Sequence, residues 1–231
     1  MAWRHPRAVQ HAAKAIVSPV MGLLLDHLAP RAEFGREDIS PFFWVDGKMP
    51  TCDEWKTLAA SNFKGYRLKV YGQVENPVEL SLDDLRAPGE RTQITLHHCI
   101  QGRSGIAEWR RLPLTELMTL VRPGPHVKAV IFYSFGEGVV FSTGIAGGQY
   151  YDSLSIENAR NPQTLLAYEM NYQPLDHLHG APLRLRVENQ LGFKMVKWIQ
   201  AIEFVEDAQS INKGEGGCAE DHEYFGELAN I

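Results

Sequence analysis

Three absences narrow what this sequence can do. Basic charge is not in excess: Lys and Arg total 23 against 28 Asp and Glu, a net charge of -5. No broad surface for phosphate backbones is available, which excludes nucleic acid as an expected partner. Cysteine is scarce. Cys52, Cys99 and Cys218 are odd in number, far apart and outside any CxxC or Cys/His cluster, so neither a disulfide scaffold nor a zinc ribbon is supported. Long apolar runs are missing too. The nearest, Ala15–Leu28, is broken by Pro19 and Asp26 and falls short of the roughly 20 residues of a membrane helix. Neither a small-residue cleavage site nor a twin-arginine signal accompanies it. The chain as given therefore reads as cytoplasmic with no membrane span of its own, and a periplasmic location requires that an export segment was removed. No GxGxxG opens a helix after a strand and there is no P-loop, which disfavours a Rossmann-type nucleotide site.

What is present suits one globular domain. Hydrophobic residues make up 44% and charged residues 22% of 231 residues, an ordinary soluble balance on a chain long enough to enclose a buried site. The texture divides it into an N-terminal helical extension (1–39), a central domain (40–207) and a C-terminal tail (208–231) that wraps the domain. Apolar residues at helical spacing predict an amphipathic helix from Pro6 to about Leu28. Alternation predicts strands at Tyr66–Gly72, Leu183–Val187 and Val196–Glu206. Gln93–His98 and the apolar Val127–Phe135 are further strands, with Val139–Thr143 as a hairpin partner across Gly136–Gly138. A helical turn is expected at Leu80–Leu85, and helices at Leu114–Val121 and Ile156–Asn161 leading into Gln163–Met170. Interleaved strands and short helices without a regular βαβ rhythm indicate a mixed α+β class.

Two stretches could carry chemistry. In TLHHCIQGRSGIAEW (Thr95–Trp109) a strand ends on Cys99 and a glycine-containing loop with Arg103 follows. A thiol there is held rigidly from one side and approachable from the other. Arg103, with His97 or His98 if protonated, would favour the thiolate that binds metals or attacks electrophiles; a buried structural cysteine is the bland alternative. In Met170–Trp198, His179 and Gly180 lead into a strand carrying Arg184 and Arg186 on one face, and Lys194 and Lys197 follow a second glycine turn. Converging basic groups suit a phosphate-bearing cofactor; the competing reading is a solvated strand face. Trp55, Trp109 and Trp198 read as core or rim aromatics, and Glu220, Asp221 and His222 as a solvated acidic tail.

HCIQGRSGIAEWRRLPL, YYDSLSIENA, AYEMNYQPLDHLHGAPLRLRV and GFKMVKWI, in this order and spacing over about Ser40 to Asp207, resemble the catalytic domain of the sulfite oxidase family of molybdopterin-dependent oxidoreductases. The resemblance implies a β-rich molybdopterin-binding fold and a molybdenum-molybdopterin cofactor, with Cys99 as the metal's thiolate ligand, a role suited to a soft sulfur donor. By the same resemblance His179, Arg184, Ser134 and the segment Met195, Val196 and Lys197 contact the cofactor, and Phe43 and Trp44, within Phe42–Asp46, line its other side. Cys99, Arg103 and Tyr150 would be catalytic, with Tyr151 an equally reachable neighbour of Tyr150. A small-molecule substrate, and a cytochrome or haem membrane subunit as electron partner to a monomer, are further implications.

The departures from the family pattern bear on substrate. Sulfite-oxidising members carry an arginine where this chain has Val45, and another five residues after the ligand cysteine, where it has Ser104. A sulfite dianion needs close positive partners, so the expectation is oxygen-atom transfer at a sulfoxide or a sulfur oxyanion, with direction left open. A cofactor-free cysteine hydrolase using Cys99 with His97 or His98, and a non-catalytic binding module on the same fold, are the rival readings.

Overall fold

A computed structural model describes residues 34–89, 91–139 and 146–222. The helix expected over Pro6–Leu28 lies outside the described residues. Among the described residues ten strands run in chain order: β1 (Leu68–Gly72), β2 (Val78–Leu80), β3 (Thr92–His98), β4 (Ser104–Pro113), β5 (Ala129–Val139), β6 (Ala146–Ser155), β7 (Thr164–Met170), β8 (Gln173–Pro174), β9 (Arg184–Val187) and β10 (Ile199–Val205). The α-helices are short: α1 (Asp53–Ala60), α2 (Leu82–Arg86), α3 (Leu114–Val121), α4 (Ile156–Ala159) and α5 (Cys218–His222). One sheet has the order β2-β1-β10-β5-β6, and the other β3-β4-β7-β8 with β9 also on β7. β1 and β10 pair in parallel, Lys69 opposite Ala201, whereas β10 and β5 pair antiparallel.

The larger core draws Val70, Phe132, Ile202 and Phe204 from the first sheet and Ala107, Trp109, Leu166 and Leu185 from the second. Each Val, Ile, Leu or Phe among them stabilises by about 1.5–3 kcal/mol on burial. β5 explains its own unbroken apolar run: Val130 and Phe132 enter this core, while Ala129 and Ile131 face a second cluster with Tyr151, Ala208 and Cys218. α3 forms where predicted, because Leu114, Leu117, Met118 and Val121 repeat at helical spacing and all are buried.

Three sequence expectations are corrected. Thr164–Met170 is a strand inside the second sheet, not a helix; a short apolar run looks alike in either state. β5 runs on through Gly136–Gly138, expected as a turn, to Val139 and pairs with β6, Ala129 opposite Ser155, and the rest of the expected hairpin strand, 140–143, lies outside the described residues. The acidic tail is not solvated: Glu220 and Asp221 are buried on α5 against β6.

Candidate active site

β3 and β4 form a hairpin whose closing turn carries Cys99. The Cys99 amide donates to the Arg103 carbonyl at 2.8 Å, and the Gly102 amide donates to the Cys99 carbonyl at 2.9 Å. Gly102 sits at φ +80, the left-handed conformation that glycine tolerates. Cys99 is half-buried at the tip, as the sequence indicated. Its polar partners among the described residues are the Gln101 amide at 3.5 Å and Asp46 Oδ2 at 3.4 Å.

The expected thiolate is not what this surrounding favours. Burial, then the neighbouring Asp46, holds the thiol above its ordinary range and outweighs Arg103. His97 cannot help. Desolvation and the cations Arg186 and Arg184 bring it down to about 2, so it is neutral, and its Nδ1 accepts from Arg186 at 3.1 Å. His98 faces Ser104 Oγ at 3.1 Å. Neither histidine bonds to Cys99, which leaves a cysteine hydrolase without its base.

The segment before α1 covers the hairpin. Phe43 is buried and packs edge-on against Trp109 and His179, with ring centroids 5.6 and 6.0 Å apart. Phe42 and Trp44 are exposed and meet edge to face at 5.0 Å. Arg103 lies over the Trp44 ring at 5.0 Å and ion-pairs with Asp46 at 3.0 Å.

The basic cluster is real but selective. Arg184 and Arg186 are both buried on β9 and stack over the same indole, Trp109, at 5.0 and 4.4 Å. Arg186 is fully compensated by the Glu188 carboxylate, at 2.9 Å from Nε and 2.7 Å from Nη2. Among the described residues Arg184 has one hydrogen bond, Nη1 to the His179 carbonyl at 2.9 Å, and its buried Nε has no partner. Burial and then Arg186 pull it down to about 9. Lys197 donates to the carbonyls of Asp46 and Leu178, and burial followed by Arg184 brings it down to about 7. Among the described residues neither Arg184 nor Lys197 forms an ion pair. Gly180, at φ +109, lets the His179 loop lie on both: a Cβ there would stand 3.0 Å from Lys197 Cβ and 3.3 Å from Arg184 Cβ.

The remaining expected residues hold this arrangement. His179 is fixed by Asp176, which accepts from its amide at 2.7 Å and contacts Nδ1 at 2.8 Å, while its Nε2 lies 3.3 Å from the Phe43 carbonyl. Ser134 donates to the Lys197 carbonyl at 2.7 Å and accepts from the Gly136 amide at 2.8 Å. Met195 and Val196 are buried. Tyr150 donates to the Phe193 carbonyl at 2.7 Å, whereas Tyr151 is turned to the second core and bonds Asp221. Lys194 does not join the basic pocket: it is buried between Asp152 and Glu220. The sequence marked Asp46 only as the end of the Phe42–Asp46 segment, with no role of its own, and did not single out Asp176. Their one sequence signal is position, within the segment before α1 and three residues before His179.

The family described as the oxidoreductase molybdopterin binding domain matches residues 56–212. The protein-methionine-sulfoxide reductase catalytic subunit MsrP of Xanthomonas campestris pv. campestris is 33% identical over 178 residues, covering 74% of this chain and 54% of that protein. MsrP of Gluconobacter oxydans is 33% identical over 147 residues, covering 61% and 47%. The chain thus spans about half the length of the curated relatives it matches. Among solved structures, the sulfane dehydrogenase SoxCD of Paracoccus pantotrophus shares the fold with a TM-score of 0.51 at 24% identity, over 62% of this chain and 38% of that one. With the matching family span covering both β3–β4 and the basic cluster, the chain belongs to the sulfite oxidase family of molybdopterin-dependent oxidoreductases.

Proposed function

We propose that this protein is a molybdenum-molybdopterin enzyme that moves an oxygen atom to or from a small oxygenated sulfur compound, a sulfoxide or a sulfur oxyanion. One observation carries the reading. A half-buried soft donor, Cys99, lies against Asp46, whose backbone carbonyl accepts from Lys197, and among the described residues neither Lys197 nor the neighbouring Arg184 forms an ion pair.

The residues fit such a cofactor. Buried cations without counter-charge are costly, and a phosphate-bearing pterin would supply the missing anion. The orphaned Nε of Arg184 is a donor in want of an acceptor, and the approach of Gly180 keeps this wall of the site free of a side chain. When bound, the group supplies a metal centre that changes by two electrons as oxygen is exchanged.

The chain's own residues then have defined tasks. Binding a cation would take the proton from Cys99, whose pKa burial and Asp46 raise in its absence. Arg103 stands at the mouth and offers N–H groups to a substrate oxygen. Burial, followed by the Asp152 and Glu220 charges, pushes the Tyr150 hydroxyl well above its ordinary range. It therefore keeps its proton and serves as a fixed donor to the loop before Met195. Electrons would be exchanged singly with an external haem protein, a reading that rests on the family resemblance.

Metal analysis with pterin fluorescence on purified protein tests this. Turnover is then compared between sulfoxides with a reduced viologen dye and sulfite with ferricyanide. Cys99→Ser is expected to keep the fold and lose turnover; undiminished activity would remove Cys99 from the chemistry.

A further inference from the structure

We propose that Asp46 selects the charge of the substrate: by pairing with Arg103 it cancels the positive charge at the mouth, so the site accepts an uncharged S=O group in preference to an anion. The inference rests on the proposed function and narrows it.

Arg103 is held on two sides. Its guanidinium lies over the Trp44 ring at 5.0 Å, and Nη1 meets Asp46 Oδ1 at 3.0 Å. The two side chains are 41% and 42% exposed, so an arriving substrate meets the pair and not a bare cation. The second Asp46 oxygen lies 3.4 Å from Cys99 Sγ, which brings the same negative charge beside the donor atom. The neighbouring positions do not restore positive charge. Ser104 faces His98 with its hydroxyl, Val45 is apolar, and Lys197 donates to the Asp46 and Leu178 carbonyls.

An anion entering here meets a carboxylate within a few ångströms of its binding position, and the opposing charges leave little net attraction. An uncharged sulfoxide loses nothing by this. Its oxygen accepts from the N–H groups of Arg103 not used by Asp46, and its carbon arms can rest on the exposed rings of Phe42 and Trp44. Asp46 does not touch the reacting sulfur and acts through Arg103, as a specificity residue.

The test uses the cofactor-loaded protein and its Asp46→Asn, Asp46→Glu and Asp46→Asn/Arg103→Met variants. Sulfate binding is titrated calorimetrically, and KM and kcat are measured for sulfite and for methyl phenyl sulfoxide. Because the pair is partly solvated, Asp46→Asn should tighten sulfate by about tenfold, an effect that shrinks as salt rises. The KM for sulfite should fall in parallel, so that the ratio of kcat/KM for sulfite to kcat/KM for the sulfoxide rises by about tenfold over wild type. Asp46→Glu should restore the original ratio, and Arg103→Met should abolish the gain, which a merely structural role for Asp46 would not produce. Asparagine keeps the shape and the backbone carbonyl that binds Lys197. Molybdenum and pterin are assayed on the same samples. A loaded Asp46→Asn protein with unmoved sulfate affinity overturns the inference alone, whereas a wild type without cofactor brings down the functional reading and this inference with it.

Discussion

Replacing Arg184 by Met should stabilise the cofactor-free protein while preventing its loading. Arg184 is 5% exposed, and burial with Arg186 brings its pKa from 12.5 to about 9. At about 1.4 kcal/mol per pH unit, holding the charge there costs on the order of 5 kcal/mol. Two contacts offset this: the hydrogen bond to the His179 carbonyl contributes about 1 kcal/mol, and the stack on Trp109 about 2 kcal/mol. The remainder is destabilising by about 2 kcal/mol. A base with a depressed folded pKa carries its full penalty below that pKa and is relieved as pH climbs towards the unfolded value, so the comparison belongs near neutral pH. Calorimetric melting of protein from a pterin-deficient host should show the Arg184→Met variant about 4–8 °C higher in Tm. Inorganic phosphate should raise the Tm of the wild type and leave the variant unmoved, since a ligand stabilises only the state it binds. A variant that melts several degrees lower, together with a wild type indifferent to phosphate, would refute the idea that this cation awaits an anion.

Two further outcomes follow from the same charges. Lys197, held at about 7 by burial and Arg184 against an ordinary 10.5, should make the cofactor-free protein gain stability between pH 7 and 10.5, with the penalty complete below pH 7; urea unfolding should show the rise between pH 7 and 9 in wild type and not in Lys197→Met, and equal slopes there would contradict it. Lys194→Met should lower stability by about 3–5 kcal/mol, read as a fall in urea midpoint at unchanged m, because Asp152 and Glu220 would face each other buried without a cation; a loss below about 1 kcal/mol would show that the carboxylates share a proton and need no lysine.

The sequence made some parts of this molecule legible because one periodicity had one explanation. α3 is such a case: its apolar residues repeat at helical spacing and no other element could bury them all. β3 is another, since Thr92–His98 runs directly into the Cys99 turn. β7 was illegible for the opposite reason. TLLAY is buried on both faces, so it shows no alternation, and only its neighbours β4, β8 and β9 make it a strand. The tail failed in the same way. Glu220 looks solvated until Lys194, brought near by the fold from 26 positions away, is placed against it. Within the site, residue types with unusual chemistry (a lone thiol, clustered cations) were visible, but Asp46 was not. Its meaning lies in contacts with Cys99 and Arg103, which are 53 and 57 positions distant.

Arg184 and Arg186 show why charge must be followed to its partner before a role is assigned. They occupy alternate positions of one strand, are both buried and share the Trp109 ring. Composition and alternation treat them as equals. Yet Arg186 is closed on three sides by Glu188 and His97, so its charge is spent within the protein and it serves as an anchor for the β9–β3 contact. Arg184 has a carbonyl, an indole and an empty Nε. A compensated buried cation is satisfied by the fold alone; an uncompensated one is tolerated only if something outside the chain completes it. The same distinction separates Lys194, neutralised by Asp152 and Glu220, from Lys197, held by carbonyls. Alternate cations along this stretch of chain thus divide between building the scaffold and facing the ligand, and it is the partners, not the residue types, that divide them.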